Sequence, residues 1–216
     1  MTAAARVRCY VAAAAVASVA GALGPRRGAA LTKPVPMLIL AGQIARTRRR
    51  RSLADTVLLA AAAGFSAAGD RAMLVEEFTP DGPGKDRRLA WGAGLFTGAQ
   101  VAYCALLWRR GARPHPAALL PRTAVLAESA AVLAIHRPRL LPVLGTYGNA
   151  LAAMSALAAD LDRPRLRLGG LAFLASDLTI INRRHLLTNP AARTTAEIWV
   201  LATYFAAQGL LIDELT

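Results

Sequence analysis

Apolar residues run through this chain in long blocks, and polar residues punctuate the blocks instead of alternating within them. Neither the two-residue period of a half-buried strand nor the narrow stripe of a surface helix recurs, so the blocks read as helices that are apolar on nearly every side. A helix needs roughly 20 mostly apolar residues to cross a bilayer. About eight blocks approach that length, at residues 8–24, 31–45, 53–75, 89–108, 117–135, 140–160, 166–182 and 196–212. With their short connections they use up residues 1–216, which predicts a single all-α domain, a polytopic membrane helix bundle of about eight transmembrane helices. The first block has a second reading. Arg6 and Arg8 precede an alanine-rich stretch ending near Ala29 and Ala30, the layout of a secretory signal, whose removal would leave seven spans.

Composition supports the membrane reading. Hydrophobic residues make up 55% and charged residues 18% of the chain, and the mean hydropathy is +0.38; soluble domains average about 45–50% and about 25%. So apolar a chain is not disordered. The net charge of +13 raises nucleic acid as a partner, but the basic residues sit in short clusters between apolar blocks. Such clusters are loop charges facing lipid headgroups, and no nucleic acid is expected. With eight spans, the side holding the termini carries 14 Lys and Arg and the other side 10. The positive-inside rule then puts both termini in the cytoplasm of a multi-pass protein of the cell membrane, the inner membrane in a bacterium, and Arg48–Arg51 carry most of the weight.

Smaller features follow. Cys9 and Cys104 fall inside apolar blocks and read as inert core thiols. The segment from Thr79 to Arg88, rich in Pro and Gly, reads as the longest surface loop. Gly94 and Gly98, four residues apart, predict a close helix contact.

Ionisable side chains at membrane depth cost at least about 2.5–3.5 kcal/mol, so each calls for an explanation. The candidates are Lys33, Asp70, Arg71, Glu128 and Asp177. Lys33 opens the second span, while Asp70 and Asp177 each precede the end of a span by about one and a half turns on the same side of the membrane. This common depth allows a buried ion-pair cluster that sets helix register. It equally allows a reactive pocket, because two carboxylates near one ammonium titrate apart and supply a proton donor and an anion. Arg71 reads as snorkelling to the headgroups, and Glu128 as a carboxylate facing the bundle interior. Ser66, Gln100, Tyr103, Tyr147, Asn149, Ser176, Asn182, Tyr204 and Gln208 recur along the spans and together imply a polar cavity. His115, His136 and His185 fall in expected loops without ligand spacing on one helix, so no metal is expected. Gly64–Gly69 (GFSAAG) lacks the glycine spacing of a serine nucleophile elbow.

Several of these residues sit in short blocks. Lys33-Pro34, Phe65-Ser66 with Gly69-Asp70, Gly94 through Phe96 to Gln100 and Tyr103, Gly170 with Phe173 and Ser176-Asp177, and Tyr204 with Gln208 together resemble the YhhN family of membrane proteins. The resemblance runs in order from Lys33 to about Leu211. It implies an eight-span enzyme of ether lipid metabolism, a lysoplasmalogenase-like hydrolase that cleaves the vinyl ether bond of lysoplasmalogen to a fatty aldehyde and a glycerophospho-base, without a cofactor. The implied catalytic residues are Asp70, Asp177 and Lys33; Tyr103, Tyr147, Asn149, Tyr204, Gln208 and Gln100, from the polar groups that recur along the spans, read as lining the substrate pocket. Gln100 departs from the family pattern, which commonly has a histidine there, and the Thr79–Arg88 insertion is longer than usual. The implied partners are an ether lipid or lysophospholipid substrate and the surrounding membrane lipids. A reading of another class stays open: a small transporter or lipid-binding protein in which Glu128 and the aspartates relay protons or hold a cation.

Overall fold

The computed structural model describes residues 2–216, and among them every regular element is helical. In order these are α1 (Ala3–Leu23), α2 (Arg26–Thr32), α3 (Pro34–Thr47), α4 (Leu53–Glu77), α5 (Pro83–Arg109), α6 (Pro116–His136), α7 (Leu141–Asp160), α8 (Pro164–His185) and α9 (Pro190–Leu215). Ser52 and Asn189 cap α4 and α9 by accepting from backbone N–H groups of the first turn, and α3, α5, α6, α8 and α9 begin with a proline at or next to the first helical position, where the missing N–H costs nothing.

Seven units are long and apolar enough to cross a membrane: α1, the α2–α3 pair, α4, α5, α6, α7 and α9. The expected span at 166–182 is the exception. At 22 residues α8 has sufficient length, but Asp177 and the basic residues at its ends interrupt the apolar run. It runs antiparallel to α9, packed against it along one face and exposed on the other. Gly169 lies against Leu211, and the Ser176 hydroxyl donates to the Val200 carbonyl at 3.0 Å.

Two other expectations shift at prolines. The second span is broken into α2 and α3 at Lys33, because Pro34 has no N–H for the Ala30 carbonyl and its ring crowds that carbonyl. Lys33 therefore projects from a helix break. The long loop after α4 shrinks to Phe78–Gly82, since Pro83 starts α5 and draws Lys85, Asp86, Arg87 and Arg88 into its first turns. Gly82 turns the chain with φ +143°, a region open to glycine alone.

Small residues set the helix spacing, as membrane bundles require. Gly92 receives Met73, Gly98 receives the Phe65 ring, and Gly170 packs on the backbone of Ser155. Gly94 does not take part in such a contact: it faces outward with open space around it, so the expected Gly94–Gly98 face is served by Gly92 and Gly98. α1 lies antiparallel along α9. The Tyr10 hydroxyl donates to the Phe205 carbonyl, and Gly21 abuts Leu201 and the Lys33 stem. This pairing brings both termini to one end of the bundle. That end is tied by Asp55 with Arg109 (2.8 Å) and Arg110 (3.6 Å), and by Gln43 with Asp213 (2.9 Å).

Candidate functional site

The opposite end of the bundle opens into a cavity of about 370 Å³ lined from α4 through α9 and by Lys33. Its polar residues fall into layers that follow from helical spacing. On α4, Asp70 and Glu77 are seven residues apart; on α8, Asp177 and Arg184 are seven apart; on α9, Glu197, Tyr204 and Gln208 follow at seven and four. Each set therefore lies on one face of its helix.

The outermost layer is a charged mouth. Arg184 forks onto both oxygens of Glu76, at 2.7 Å each, and Glu76 is wholly buried. Arg183 pairs with Glu197 at 2.7 Å, and Lys33 reaches Glu77 at 3.5 Å and Glu197 at 4.0 Å. The Nε–H groups of Arg183 and Arg184 are buried without an acceptor. Nearby, the His136 and His185 rings lie 4.8 Å apart at the last residues of α6 and α8, which are helix ends and not loops.

The middle layer holds the two aspartates, and each receives a tyrosine. Tyr204 on α9 donates to Asp70 at 2.7 Å, and Tyr147 on α7 donates to Asp177. Aromatic rings surround them. Phe96 lies 6.2 Å from Tyr147 and 6.0 Å from Tyr204, and Phe173 meets Tyr204 edge-on at 5.6 Å. Asp70, Asp177, Lys33, Tyr147, Asn149 and Tyr204 all line the cavity.

Gln100, Tyr103 and Gln208 do not line it. They form a third layer, beneath the aspartates and fully buried. The Tyr103 hydroxyl donates to Gln208 Oε1 at 2.7 Å, and Gln208 Nε2 donates to Ser66 at 2.8 Å. Gln100 lies beside the Tyr147 hydroxyl, yet neither end of its amide makes a hydrogen bond of ordinary geometry. These three residues support the cavity floor from behind.

Further expectations are corrected. Lys33 does not pair with the aspartates: its partners are Glu77 and Glu197. Glu128 is exposed on α6 and does not share the cavity that holds Asp70 and Asp177, which α6 lines with residues such as Leu126, Ala130 and Leu133. Cys9 is on the outer face of α1 and not in the core, while Cys104 is partly buried with its thiol near the Ala150 carbonyl. Arg71 is exposed, as snorkelling requires. Among the described residues no group of three His, Cys, Asp or Glu side chains is placed to hold a metal ion.

Sequence reasoning missed the mouth. Glu76, Glu77, Arg183, Arg184 and Glu197 sit close to span ends and resemble ordinary loop charges, although the seven-residue spacings from Asp70, Asp177 and Tyr204 were there to be read. It also passed over Phe96 and Phe173 as site residues, since an aromatic in an apolar block carries no polar signal.

Comparison with known proteins adds the family. No curated protein and no solved structure matches the chain. The model of the YhhN family matches residues 28–215, from α2 to the end of α9. A match of that extent, over the helices that build the cavity, identifies the chain as a member of the YhhN family.

Proposed function

We propose that the protein is a membrane hydrolase that cleaves the vinyl ether bond of a lysoplasmalogen, releasing a fatty aldehyde and a glycerophospho-base. The observation that carries this reading is the pair of tyrosine-held aspartates on one cavity, set below a rim where Lys33, Arg183 and Arg184 pair with Glu76, Glu77 and Glu197. Vinyl ether hydrolysis begins with protonation of the alkene carbon remote from oxygen and leaves a cation shared by carbon and oxygen. Water then adds to that cation and gives up a proton. One carboxyl carrying a proton and one carboxylate are the groups these two steps require. Asp70 and Asp177 take these roles, and Tyr204 and Tyr147 orient them. The hemiacetal so formed breaks to aldehyde and alcohol without a further catalyst.

The layers also suit the substrate's outline. Asp177 lies six residues below Arg183, a rise of about 9 Å. A substrate phosphate drawn to Arg183, Arg184 and Lys33 would have to share them with Glu76, Glu77 and Glu197, and the ether oxygen of its glycerol unit would then reach one to two turns deeper, beside the carboxylates. With both termini in the cytoplasm, as the distribution of basic residues favours, the charged mouth faces the outer leaflet.

The deciding experiment incubates the purified protein in detergent with a panel of lysolipids and analyses the products by mass spectrometry. Aldehyde from the alkenyl lysolipid, and none from its acyl or saturated alkyl counterparts, is the expected result. A protein that releases no aldehyde from any of them is not this enzyme.

A further inference from the structure

We propose that Phe96 is a further catalytic residue, whose ring forms the wall against which the positive charge of the reaction develops between Asp70 and Asp177. The inference rests on the hydrolase reading above. Phe96 lines the cavity, and its ring is 6.2 Å from that of Tyr147 and 6.0 Å from that of Tyr204. Those tyrosines hold Asp177 and Asp70, so among the described residues Phe96 alone makes aromatic contact with both acid–tyrosine pairs.

Its position is set from behind. Gly69 precedes Asp70 on α4, and a Cβ there would stand 2.8 Å from Cε2, 2.9 Å from Cδ2 and 3.0 Å from Cζ of the Phe96 ring. The ring occupies the space that any other residue at 69 would fill. It is pressed onto the backbone next to one acid and cannot swing away from the cavity on that side.

The charge balance of the reaction gives this placement a purpose. The proton leaves one carboxyl and forms a C–H bond with the alkene π electrons, so a full positive charge appears on the C–O unit. It disappears when water adds to that carbon and the second carboxylate takes the water's proton. An aromatic face attracts a cation and is indifferent to a neutral alkene, and such a contact strengthens only as the transition state forms. The two tyrosines are already committed through their hydroxyls to the acids. Phe96 has no polar atom, so its contribution comes from the ring alone.

The test replaces Phe96 in the detergent-purified protein by phenylalanines carrying one, two and three fluorines, which drain the ring's negative face while keeping its shape. The expected result is a stepwise fall in kcat for aldehyde release, to about 10- to 30-fold below the native ring for the trifluoro form. The inhibition constant of a saturated alkyl-ether lysolipid, which cannot form the cation, stays unchanged across the series. F96L, which keeps apolar contact but lacks a π face, is expected to match the trifluoro form; the near-isosteric fluorinated series preserves the test if F96L does not fold. A flat kcat, or an inhibition constant that moves in parallel with kcat, overturns the proposal and leaves Phe96 as packing. Absence of aldehyde with the native ring would overturn the hydrolase reading as well, so the two failures are distinct.

Discussion

The Tyr204 hydroxyl, on the last helix of the bundle, donates to the Asp70 carboxylate on α4 at 2.7 Å, across 134 positions of sequence. The bond crosses the cavity wall, so it both orients the acid and ties two helices that otherwise touch little. Tyr204→Phe removes the donor and keeps the ring. We expect kcat for aldehyde release to fall by about 10-fold, the worth of one hydrogen bond to an ionised group. Steady-state kinetics check this, and an unchanged kcat would remove Tyr204 from the mechanism.

Asp70→Asn and Asp177→Asn retain shape and hydrogen-bonding capacity but not acidity. Each is expected to lower kcat by at least about 100-fold, the usual scale of a positioned acid or base, with elution on size exclusion and helical content unaltered. Full activity in both variants would refute the assignment of the pair.

The Arg184–Glu76 pair predicts a stability effect separate from chemistry. Arg184→Met leaves the wholly buried Glu76 without its counter-charge, which is expected to cost about 3–5 kcal/mol. The double variant Arg184→Met with Glu76→Leu should recover most of that loss. Thermal unfolding in detergent of the two singles and the double measures it, and simple additivity would mean the pair is not coupled.

Glu128 yields the opposite expectation from a carboxylate. It faces outward from α6, so Glu128→Leu should leave aldehyde release intact while increasing the amount of protein inserted, since a charged residue near mid-span costs on the order of 3 kcal/mol on insertion scales. Quantifying the membrane fraction beside activity tests both halves. A loss of turnover would return Glu128 to the site.

Two glycines separate packing from propensity. Gly170→Ala puts a methyl 3.0 Å from the Ser155 Cα, so α7 and α8 must part, at a cost of about 1–3 kcal/mol. Gly94→Ala meets open space and should stabilise α5 by roughly 0.5–1 kcal/mol. Opposite shifts in unfolding temperature are the expected pattern.

The bundle was legible in the sequence because long apolar blocks admit few other structures, and their bounds fell close to the helices. Two errors came at prolines, which moved the start of α5 to Pro83 and broke the second span at Lys33, and a third at α8, where charged residues interrupt the apolar run. The depth of Asp70 and Asp177 could be counted from span ends, and both line the cavity. Lys33 pairs one layer nearer the mouth than the aspartates, because Glu77 and Glu197 stand about two turns farther out on the same helix faces as Asp70 and Tyr204. Glu128 failed for another reason: depth says nothing of azimuth. Tyr103 and Gln208 were rightly taken as buried polar groups, but hydrogen bonding between α5 and α9 absorbs them.

The cavity is charged at its rim and mostly apolar in its lining below. On the proposed reading, cleavage of an amphiphile would leave a water-loving fragment at the Arg183–Lys33 rim and a greasy aldehyde against the aromatic rings beneath it. Each product would then be more soluble in a different phase, the first in water and the second in the acyl chains of the bilayer, so their partition would draw them apart between turnovers.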